Sequence, residues 1–550
     1  MKPRILAYLW LGGLTAASLI LYYPVSSSFF VSDDWDWLWT AAHQTAVLQI
    51  FVTNSVGSTA GGSYNPVISL FFFAWYRLFG LTPGMYHVMN IVLHATTAFA
   101  VGILCYALLR FFESTLDRQR KVWLAVLASI VYLVLPFHAE AVAWVSALPH
   151  IVATLFYVGA LIMFLQWQRH GRWQWFAVSL LAALISLGAK EIAITLPLII
   201  AVLALRRGTT IARRVHSFFL SVIPYIATVI VFLLARFNAT GLFFGTYADR
   251  GLIFRPVVWT HTFLTFFEEF LTLGIARVPW SAWFFSQRLR MIAVVAMLFI
   301  MLTVVLLRHA SKQIRILFAC FLISILTYTP LGFSRITNEG ARYLYLPAIF
   351  FIAILVFLVA HIHSHIVIAG YTAILVALCL IVVQSPIRAW AAAGDLAGQL
   401  VATFAESAQQ QQWPDAYVIA LPDTRDGAQV FRNNFREAVF MTFPEVTTKI
   451  AQIPVYIIEQ ERATPRIVWR TDDRGYFGFA AGTEFTGVDR DEAYDYIYEL
   501  WDYDYSRFTS ETVRLILKND LLQGLREGSA AVIAWDGSTF RQLPQLRITK

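Results

Sequence analysis

Long apolar runs constrain the fold of this chain more than any other feature of its sequence. Runs of membrane-spanning length recur up to about Gln384, and roughly 20 consecutive apolar residues suffice to cross a bilayer as a helix. Hydrophobic residues make up 58% of the 550 residues and charged residues only 14%, which excludes an ordinary soluble globular protein. The sequence therefore predicts a polytopic α-helical membrane protein.

The apolar runs predict about eleven transmembrane helices. They lie near residues 5–23, 84–110, 122–136, 150–168, 174–189, 191–205, 217–236, 291–307, 316–333, 344–361 and 366–384. The interruption GAKEIA is interpreted as a tight external turn between two short helices. Residues 258–276 contain Glu268 and Glu269. Because two adjacent carboxylates are unfavourable inside hydrocarbon, this segment is predicted to be an interfacial external helix.

Lysine and arginine residues set the predicted orientation. They cluster near residues 2–4, 110–121, 169–172 and 206–214, whereas residues 23–65 and 137–149 contain none. Cytoplasmic loops carry the excess of Lys and Arg, so we expect a multi-pass protein of the cell (inner) membrane with a cytoplasmic N-terminus. The formal net charge of +8 then reports orientation, and no nucleic-acid partner is expected.

The character of the chain changes after Gln384. Short strand-like segments occur at 415–422, 453–460, 466–470 and 530–543, and a helical stretch is predicted at 507–527. The last strand segment contains an Asp-Gly pair typical of a hairpin turn. We therefore predict a transmembrane domain over 1–384 and a soluble, extracytoplasmic α/β domain over 385–550, which is long enough to bury its own core.

The first external loop begins with the sequence FFVSDDWDWLWT, residues 29–40. Its tryptophans could form an interfacial aromatic belt, but such a belt does not require the adjacent carboxylates Asp33 and Asp34. Two neighbouring carboxylates repel, so one pKa tends to rise while the other stays low. This arrangement suits a general base beside a stabilising partner. Asp33 and Asp34 are therefore the candidate catalytic residues.

Further ionisable and polar residues gather at the predicted outer ends of the helices. They are His138, Glu140, Lys190, Glu191, Arg342 and Tyr345. Ionisable groups at membrane edges are candidates for function, although Lys190 and Glu191 could simply pair with each other. A lysine and an arginine near external carboxylates favour an anionic ligand such as a phosphate. His87, Asn90 and His94 share one face of a helix, where they could hold a metal or form a hydrogen-bonded stripe between helices.

Several blocks together resemble the GT-C superfamily of membrane glycosyltransferases, which use polyprenyl-phosphate-linked sugars. The resemblance is greatest to the protein O-mannosyltransferase-like branch whose members often carry tetratricopeptide repeats. It rests on SDDWDW, on NPVISLFFFAWYRLFGLTPGMYHVMNIVLHATTAFAVGILCYALLR, on FHAEAVAWVS, on GAKEIAITLPLII and on RYLYLPAIF. This chain lacks the repeats, and it has Asn65 where the family usually has an arginine before the proline.

The resemblance implies a GT-C fold and a set of site residues. Asp33 would act as the base on the acceptor hydroxyl, with Asp34 as the second choice. Lys190 and Arg342 would neutralise the leaving polyprenyl phosphate. The remaining predicted substrate-binding residues are His138, Glu140, Tyr345, Glu191, His87 and Asn65.

The predicted function is transfer of a sugar, with inversion, from a polyprenyl-phosphate donor in the bilayer to an extracytoplasmic glycan, glycolipid or protein acceptor. No protein metal site is predicted. A divalent cation such as Mg²⁺ or Mn²⁺ is optional, because the phosphate is already a good leaving group. Two alternatives belong to other classes, namely a transporter or flippase for lipid-linked glycans and a catalytically inactive, glycan-binding membrane scaffold. Intact Asp33 and Asp34 and the grouping of charges at the outer ends of helices favour the enzyme.

Overall fold

The computed structural model of the chain describes a defined set of residues. They are 3–55, 63–113, 115–204, 211–243, 256–274, 311–329, 340–360, 362, 364–413, 415–453, 455–459, 466–471, 475–481, 483–487, 501–503, 512–517 and 519–544.

The chain divides into two compact units. The first comprises Met1–Ser26 and Thr40–Arg388, and the second comprises Ser27–Trp39 and Ala389–Lys550. The predicted domains, 1–384 and 385–550, stay a prediction. The short segment Ser27–Trp39, which contains the Asp-Trp motif, groups with the C-terminal unit rather than with the helices that flank it in sequence.

Sixteen helices occur among the described residues. In chain order they are α1 Pro3–Leu21, α2 Asp34–His43, α3 Pro66–Phe79, α4 Pro83–Phe112, α5 Arg118–Val134, α6 Ala139–Ala143, α7 Leu148–His170, α8 Trp173–Ala189, α9 Leu196–Ala204, α10 Ile211–Thr240, α11 Pro256–Thr272, α12 Lys312–Leu326, α13 Ala348–Val359, α14 His365–Gln411, α15 Phe435–Thr442 and α16 Asn519–Glu527.

Within the described ranges, four helical segments are long and apolar enough to cross a membrane. They are Pro83–Phe112, Val145–His170, Phe218–Thr240 and His365–Gln411. The bent pair formed by α5 and the following Pro136–Ala143 segment would add a fifth, and shorter apolar helices accompany them. The chain is therefore a multi-pass helical membrane protein. The count of eleven stays a prediction, and the predicted span at 291–307 lies outside the described residues.

Helix α4 lies at the centre of the first unit and packs against α1, α5 and α7. Its contact with α5 depends on Gly102, because a Cβ atom there would lie 2.1 Å from Ser129 Oγ and 2.6 Å from the Ala125 carbonyl oxygen. Small residues permit such close approach between membrane helices. This packing brings the buried polar residues of α4 against the segment that follows α5.

The predicted interfacial helix at 258–276 forms α11, but its carboxylates are not on a surface. Glu268 is 2% exposed and Glu269 is fully buried. The neighbouring Phe270 ring lies 4.9 Å from that of Phe321 in α12. The C-terminal half of α11 therefore packs into the protein interior, which removes its two carboxylates from both lipid and water.

Twelve strands occur among the described residues of the second unit. They are β1 Asp415–Ile419, β2 Leu421–Arg425, β3 Ala428–Gln429, β4 Ile450–Gln452, β5 Val455–Glu459, β6 Arg466–Thr471, β7 Gly475–Ala481, β8 Glu484–Gly487, β9 Trp501–Tyr503, β10 Thr512–Leu517, β11 Ala530–Trp535 and β12 Phe540–Gln542. Three four-stranded sheets result, with strand orders β12-β11-β1-β4, β6-β7-β10-β9 and β3-β2-β5-β8. In the first sheet, β1 runs parallel to both β11 and β4.

Each of the four predicted strand segments contains a strand, but the predicted helix at 507–527 is wrong over Thr512–Leu517. Residues Thr512–Leu517 form β10, which pairs antiparallel with β7 and β9. Among the described residues of the predicted segment, the helical part is Asn519–Glu527. The sequence TVRLIL is rich in β-branched and aliphatic side chains that suit a strand, and pairing on both sides decides its conformation.

Candidate functional site

An ion pair between Glu140 and Arg342 forms the centre of the candidate site in the first unit. Glu140 lies in α6, and Arg342 lies in the 3₁₀ turn Ala341–Leu344. The Glu140 carboxylate accepts the backbone N–H of Arg342 at 2.7 Å and that of Gly340 at 3.4 Å, and it also accepts from the Arg342 guanidinium. Only 4% of the Glu140 side chain and 12% of the Arg342 side chain are exposed. One carboxylate therefore fixes both the turn and its cation.

Two aromatic rings contact the Arg342 guanidinium. The guanidinium carbon lies 4.9 Å from the ring centroid of Trp144 and 4.8 Å from that of Tyr343. Its Nη2 atom donates to the Tyr343 hydroxyl at 3.2 Å. The Trp144 carbonyl in turn accepts from Asn90 Nδ2 of α4 at 3.3 Å. Arg342 is thus a fixed cation, as binding of an anion in one orientation requires.

Tyr328 and His150 both pack against Tyr343, one of the two rings that contact this cation. Tyr343 stacks on Tyr328 with ring centroids 4.9 Å apart, and the His150 ring lies 5.6 Å from that of Tyr343. Tyr328 is 1% exposed and His150 is 3% exposed. Neither the Tyr328 hydroxyl nor His150 Nδ1 has a hydrogen-bond partner within the described part of the chain. Buried polar atoms are rarely left unpaired, so these two atoms are suited to binding a ligand.

A second cation, Lys190, belongs to the same cluster. Helix α8 ends before Lys190, which has extended backbone and whose ammonium lies 3.8 Å from the Glu191 carboxylate. The Lys190 side chain is 26% exposed. The positive charges of Lys190 and Arg342 both act on His150. The structure therefore brings together four of the predicted residues, Lys190, Glu191, Glu140 and Arg342, around His150.

Arg236 is a further member of this cluster that motif reasoning missed. It lies in α10, within the membrane-length segment Phe218–Thr240, and it is only 2% exposed. Its charge acts on Glu191, as that of Lys190 does. An arginine inside an apolar helix is a functional candidate by default. This arginine and the apolar residues before it are visible in the sequence LLARFNAT.

The predicted lining residues Tyr345 and His138 are instead buried side chains in the core of the unit. Both are fully buried, and their rings lie 4.5 Å apart. The Tyr345 hydroxyl lies 2.7 Å from His94 Nδ1, while His94 Nε2 lies 3.0 Å from the carbonyl oxygen of Leu133. Because a carbonyl only accepts, Nε2 carries the proton and Tyr345 donates to Nδ1. These contacts connect α4 and α5 to the turn that carries Arg342.

Asn65 and His87 complete the predicted set. Asn65 precedes α3, where its backbone N–H donates to Ser55 Oγ at 2.6 Å and its side-chain amide donates to Ser63 Oγ at 3.1 Å. His87 is 3% exposed in the first turns of α4. The histidine stripe of α4 is a contact between helices, because His94 and Asn90 bond to neighbouring elements. No group of three or more His, Cys, Asp or Glu side chains able to hold a metal occurs among the described residues.

The two candidate catalytic aspartates, both in the second unit, differ in their surroundings. Asp34 is fully buried, and its carboxylate accepts the backbone N–H of Val31 at 3.0 Å. Asp33 is only partly buried. Trp35 packs beside them, with its indole N–H donating to the Phe30 carbonyl at 3.3 Å. Asp34 thus holds the loop in shape, while Asp33 keeps access to solvent.

Asp36 is a third carboxyl group in this loop and was not among the predicted site residues. Burial, followed by the negative charges of Asp33 and Glu437, raises the pKa of Asp36 to about 7. Glu437 lies in the first turn of α15. The loop therefore presents a partly exposed carboxylate, Asp33, beside a carboxyl group that carries its proton up to near neutral pH.

These helices and charges define a multi-pass membrane protein with a buried cationic cluster and a separate acidic loop. No family model matches the chain. In sequence it is 30% identical over 196 residues to the protein O-mannosyl-transferase Tmtc1 of Drosophila melanogaster, which covers 34% of this chain and 21% of that protein. It is also 30% identical over 158 residues to the protein O-mannosyl-transferase F38B6.6 of Caenorhabditis elegans, covering 27% of this chain and 22% of that protein.

The predicted resemblance to this branch of transferases is confirmed by these two relatives. The aligned region spans about a fifth of the length of each curated relative. Among solved structures, ArnT from Cupriavidus metallidurans in the apo state aligns over 84% of this chain and 96% of its own, with 13% identity and a TM-score of 0.42. The same protein bound to undecaprenyl phosphate aligns over 82% and 93%, with 13% identity and a TM-score of 0.38.

Proposed function

We propose that this chain is an integral membrane glycosyltransferase of the GT-C fold. It would transfer a sugar from a polyprenyl-phosphate donor to an extracytoplasmic hydroxyl acceptor. The observation that carries the proposal is the pair of buried, unpaired polar atoms, Tyr328 OH and His150 Nδ1, beside Arg342 and Lys190. A phosphate-linked sugar offers both the negative charge that the cations favour and the hydroxyls that the two polar atoms lack.

In this proposal Lys190 and Arg342 bind the donor phosphate. Negative charge grows on the phosphate as the glycosidic bond breaks, and fixed cations in a water-poor site stabilise such charge strongly. Glu140 holds the guanidinium in place before the donor arrives, so little reorganisation is needed during the reaction. Arg236 adds positive charge near Glu191.

Asp33 is the proposed base. Its partly exposed carboxylate can take the proton of an acceptor hydroxyl, whereas the Asp34 carboxylate is committed to the Val31 amide. The deprotonating oxygen attacks the anomeric carbon, and the bond from that carbon to the phosphate oxygen breaks on the opposite face. A single displacement of this kind inverts the anomeric configuration. No metal is needed to balance the step, and Mg²⁺ or Mn²⁺ remains optional.

We further propose the topology that places these groups on one side of the membrane. The chain would have about eleven spans in the cell (inner) membrane, a cytoplasmic N-terminus, a transmembrane domain over 1–384 and an extracytoplasmic α/β domain over 385–550. The two curated relatives are named as protein O-mannosyl-transferases, so hydroxyl groups of proteins join those of glycans and glycolipids as acceptors to be tested.

The test is a transfer assay with the full-length protein in lipid vesicles. Labelled polyprenyl-phosphate sugars are supplied with glycan, glycolipid and peptide acceptors, with and without Mg²⁺ or Mn²⁺. We expect labelled product with inverted configuration from the wild type, and about 10²- to 10⁴-fold slower transfer from Asp33→Asn. Asp395→Asn is the matched control, since Asp395 is an exposed aspartate of α14 in the same unit. Movement of intact donor across the bilayer without transfer would instead favour a flippase.

A further inference from the structure

The acidic loop is held by hydrogen bonds to the C-terminal part of the second unit. The Ser32 N–H donates to the Val430 carbonyl at 2.8 Å, and the Ser32 hydroxyl lies 2.6 Å from Asn433 Oδ1. Ser32 and Asn433 are 401 positions apart in sequence. Ser32 is fully buried, so its bond to Val430 is shielded from water, whereas Asn433 is exposed and its bond to Ser32 is partly buried. The residue immediately before Asp33 is therefore fixed at two atoms.

The start of the loop, at Ser28 and Phe29, packs directly on α14. A Cβ atom at Gly394 would lie 2.7 Å from Ser28 Cβ and 3.0 Å from both the N and O atoms of Phe29. A Cβ atom at Gly398 would lie 3.4 Å from Phe29 Cβ and Cγ. Only glycine at residue 394 allows the loop backbone to approach the helix so closely. The loop is thus attached to the unit at Ser28–Phe29 and at Ser32, and both attachments precede Asp33.

The segment that receives Ser32 is itself rigidly supported. The Val430 N–H donates to the Asp423 carbonyl of β2 at 2.9 Å. Arg432 forms an ion pair with the Asp423 carboxylate at 2.9 Å. Gln452 of β4 donates to the carbonyl oxygens of Phe431 and Arg432 at 3.2 and 3.1 Å. The strands β2 and β4 therefore determine where Asn433 lies.

The backbone conformation of Ser32 couples the position of Asn433 to that of Asp33. Ser32 has a φ of +41°, which L-residues rarely adopt without support from their surroundings. The Asp34 carboxylate holds the Val31 N–H on the opposite side of Ser32. As long as Ser32 makes these contacts, they fix the direction of the main chain that leads into Asp33.

We propose that the segment 430–433 is a positioning element for the proposed base, and that Asn433 is a positioning residue acting on Asp33 through Ser32. The inference rests on the proposed function, because it takes Asp33 as the base. It assigns the C-terminal unit a part in placing the base as well as any part in acceptor binding. Misplacement of a reacting group by about 1 Å costs roughly 100-fold in rate, so a change at Asn433 should be visible in turnover.

The test compares Asn433→Ala, Ser32→Ala and the double variant in the full-length protein. We expect each single variant to lower kcat by about 10- to 100-fold with the KM for the donor unchanged. The double variant should be no slower than the slower single variant, since both remove the same hydrogen bond. Gln523→Ala is the matched control, because it removes an exposed side-chain bond in the same unit, from Gln523 to Glu527 at 2.7 Å. It should leave kcat unchanged.

Asn433→Asp separates positioning from a general loss of structure. Aspartate keeps an acceptor for the Ser32 hydroxyl, so kcat should recover to within a few-fold of the wild type. Its added negative charge joins those of Asp33, Asp36 and Glu437. The neighbouring arginines do not offset this charge, because Arg432 is already paired with Asp423 and Arg436 with Glu437. The acid limb of the kcat–pH profile should therefore move to higher pH. A structural role alone would predict neither the recovery nor the shift.

Hydrogen exchange at the Ser32 amide provides a readout independent of activity. We expect faster exchange in Asn433→Ala and Ser32→Ala than in the wild type and in Gln523→Ala. Wild-type kcat in both alanine variants, in a preparation where Asp33→Asn is inactive, would overturn the positioning role and leave the proposed function intact. Absence of transfer by the wild type itself would overturn the proposed function, and unchanged Ser32 exchange would then overturn the anchoring as well.

Discussion

The carboxylate of Glu140 accepts hydrogen bonds from both the backbone N–H and the guanidinium of Arg342. The two residues are 202 positions apart in sequence. Their pairing joins the segment after α5 to the turn before α13, and it sets the direction in which the guanidinium faces. Donor binding and stability of the first unit should therefore depend on the same pair.

Glu140→Gln should destabilise the protein strongly. The amide removes the negative charge but leaves the Arg342 cation buried, and breaking a buried ion pair from one side costs about 3–5 kcal/mol. Denaturant unfolding of the purified full-length protein measures the loss. Arg541→Gln breaks an exposed pair, with 69% of the Arg541 side chain exposed, and should change stability by no more than about 1 kcal/mol. Equal effects of the two variants would contradict a structural role for Glu140.

Tyr328→Phe and Tyr345→Phe should behave in opposite ways. The Tyr328 hydroxyl has no partner within the described ranges, so its removal should leave the unfolding temperature unchanged or raise it. The same change should weaken binding of a polyprenyl-phosphate sugar by about 5-fold, the equivalent of one hydrogen bond. The Tyr345 hydroxyl is bonded to His94 at 2.7 Å, and its removal should cost about 1 kcal/mol of stability.

Thermal unfolding and donor titration of both tyrosine variants distinguish a ligand-facing hydroxyl from a core hydroxyl. A loss of stability in Tyr328→Phe as large as that in Tyr345→Phe, together with unchanged donor affinity, would show that Tyr328 is an ordinary core residue.

Asp36 should make stability depend on pH in a specific window. Its pKa is raised to about 7 in the folded protein, above the ordinary value of 3.8, so the folded state holds the proton more tightly than the unfolded chain. Stability should therefore fall as pH rises from about 4 to about 7 and change no further above that. Asp36→Asn removes this contribution.

The stability gain of Asp36→Asn over the wild type should thus grow across that window and then stay constant. Unfolding of the full-length protein measured from pH 4 to pH 9 checks this expectation. Asp395→Asn, at an exposed position of α14, should run parallel to the wild type throughout. A gain for Asp36→Asn that is largest at pH 4 would rule out a raised pKa.

Substitutions at the two adjacent aspartates, Asp33 and Asp34, should have different effects. Asp33→Asn should lower transfer by about 10²- to 10⁴-fold, as loss of a general base does, and leave the unfolding temperature unchanged. Asp34→Asn keeps an oxygen able to accept from the Val31 N–H and should retain most activity, whereas Asp34→Ala loses that bond and should loosen the loop. Transfer rates and unfolding temperatures of the three variants are the measurements. An inactive Asp34→Asn beside an active Asp33→Asn would reverse the assignment.

Much of the helical fold could be predicted because apolar runs of membrane length admit few other structures. Helices α4, α7 and α10 contain the predicted spans almost unchanged. The burial of Glu268 and Glu269 could not be predicted, since it depends on helices that approach α11 from elsewhere in the chain. The strand Thr512–Leu517 was missed for the same reason, because its partners β7 and β9 decide its conformation.

The residue types of the candidate site could be predicted from the sequence, but the pairs that these residues form could not. Charges after membrane exits identify Lys190, Glu140 and Arg342, but no local pattern shows that Glu140 accepts from Arg342. The sequence DD likewise cannot reveal that Asp34 faces inward to Val31 while Asp33 stays partly exposed. Arg236 could have been found, since an arginine inside an apolar helix is visible in the sequence alone.

The hydrogen bond between Ser32 and Asn433 has a consequence for biosynthesis. The ribosome makes the acidic loop first and its partner only 401 residues later. Until that partner emerges, the loop cannot reach its final conformation, even with every preceding helix already inserted. A chain terminated between Arg388 and Asn433 would therefore carry all the charged groups of the first unit and still lack a correctly aligned base, so that turnover begins only after Asn433 has been made.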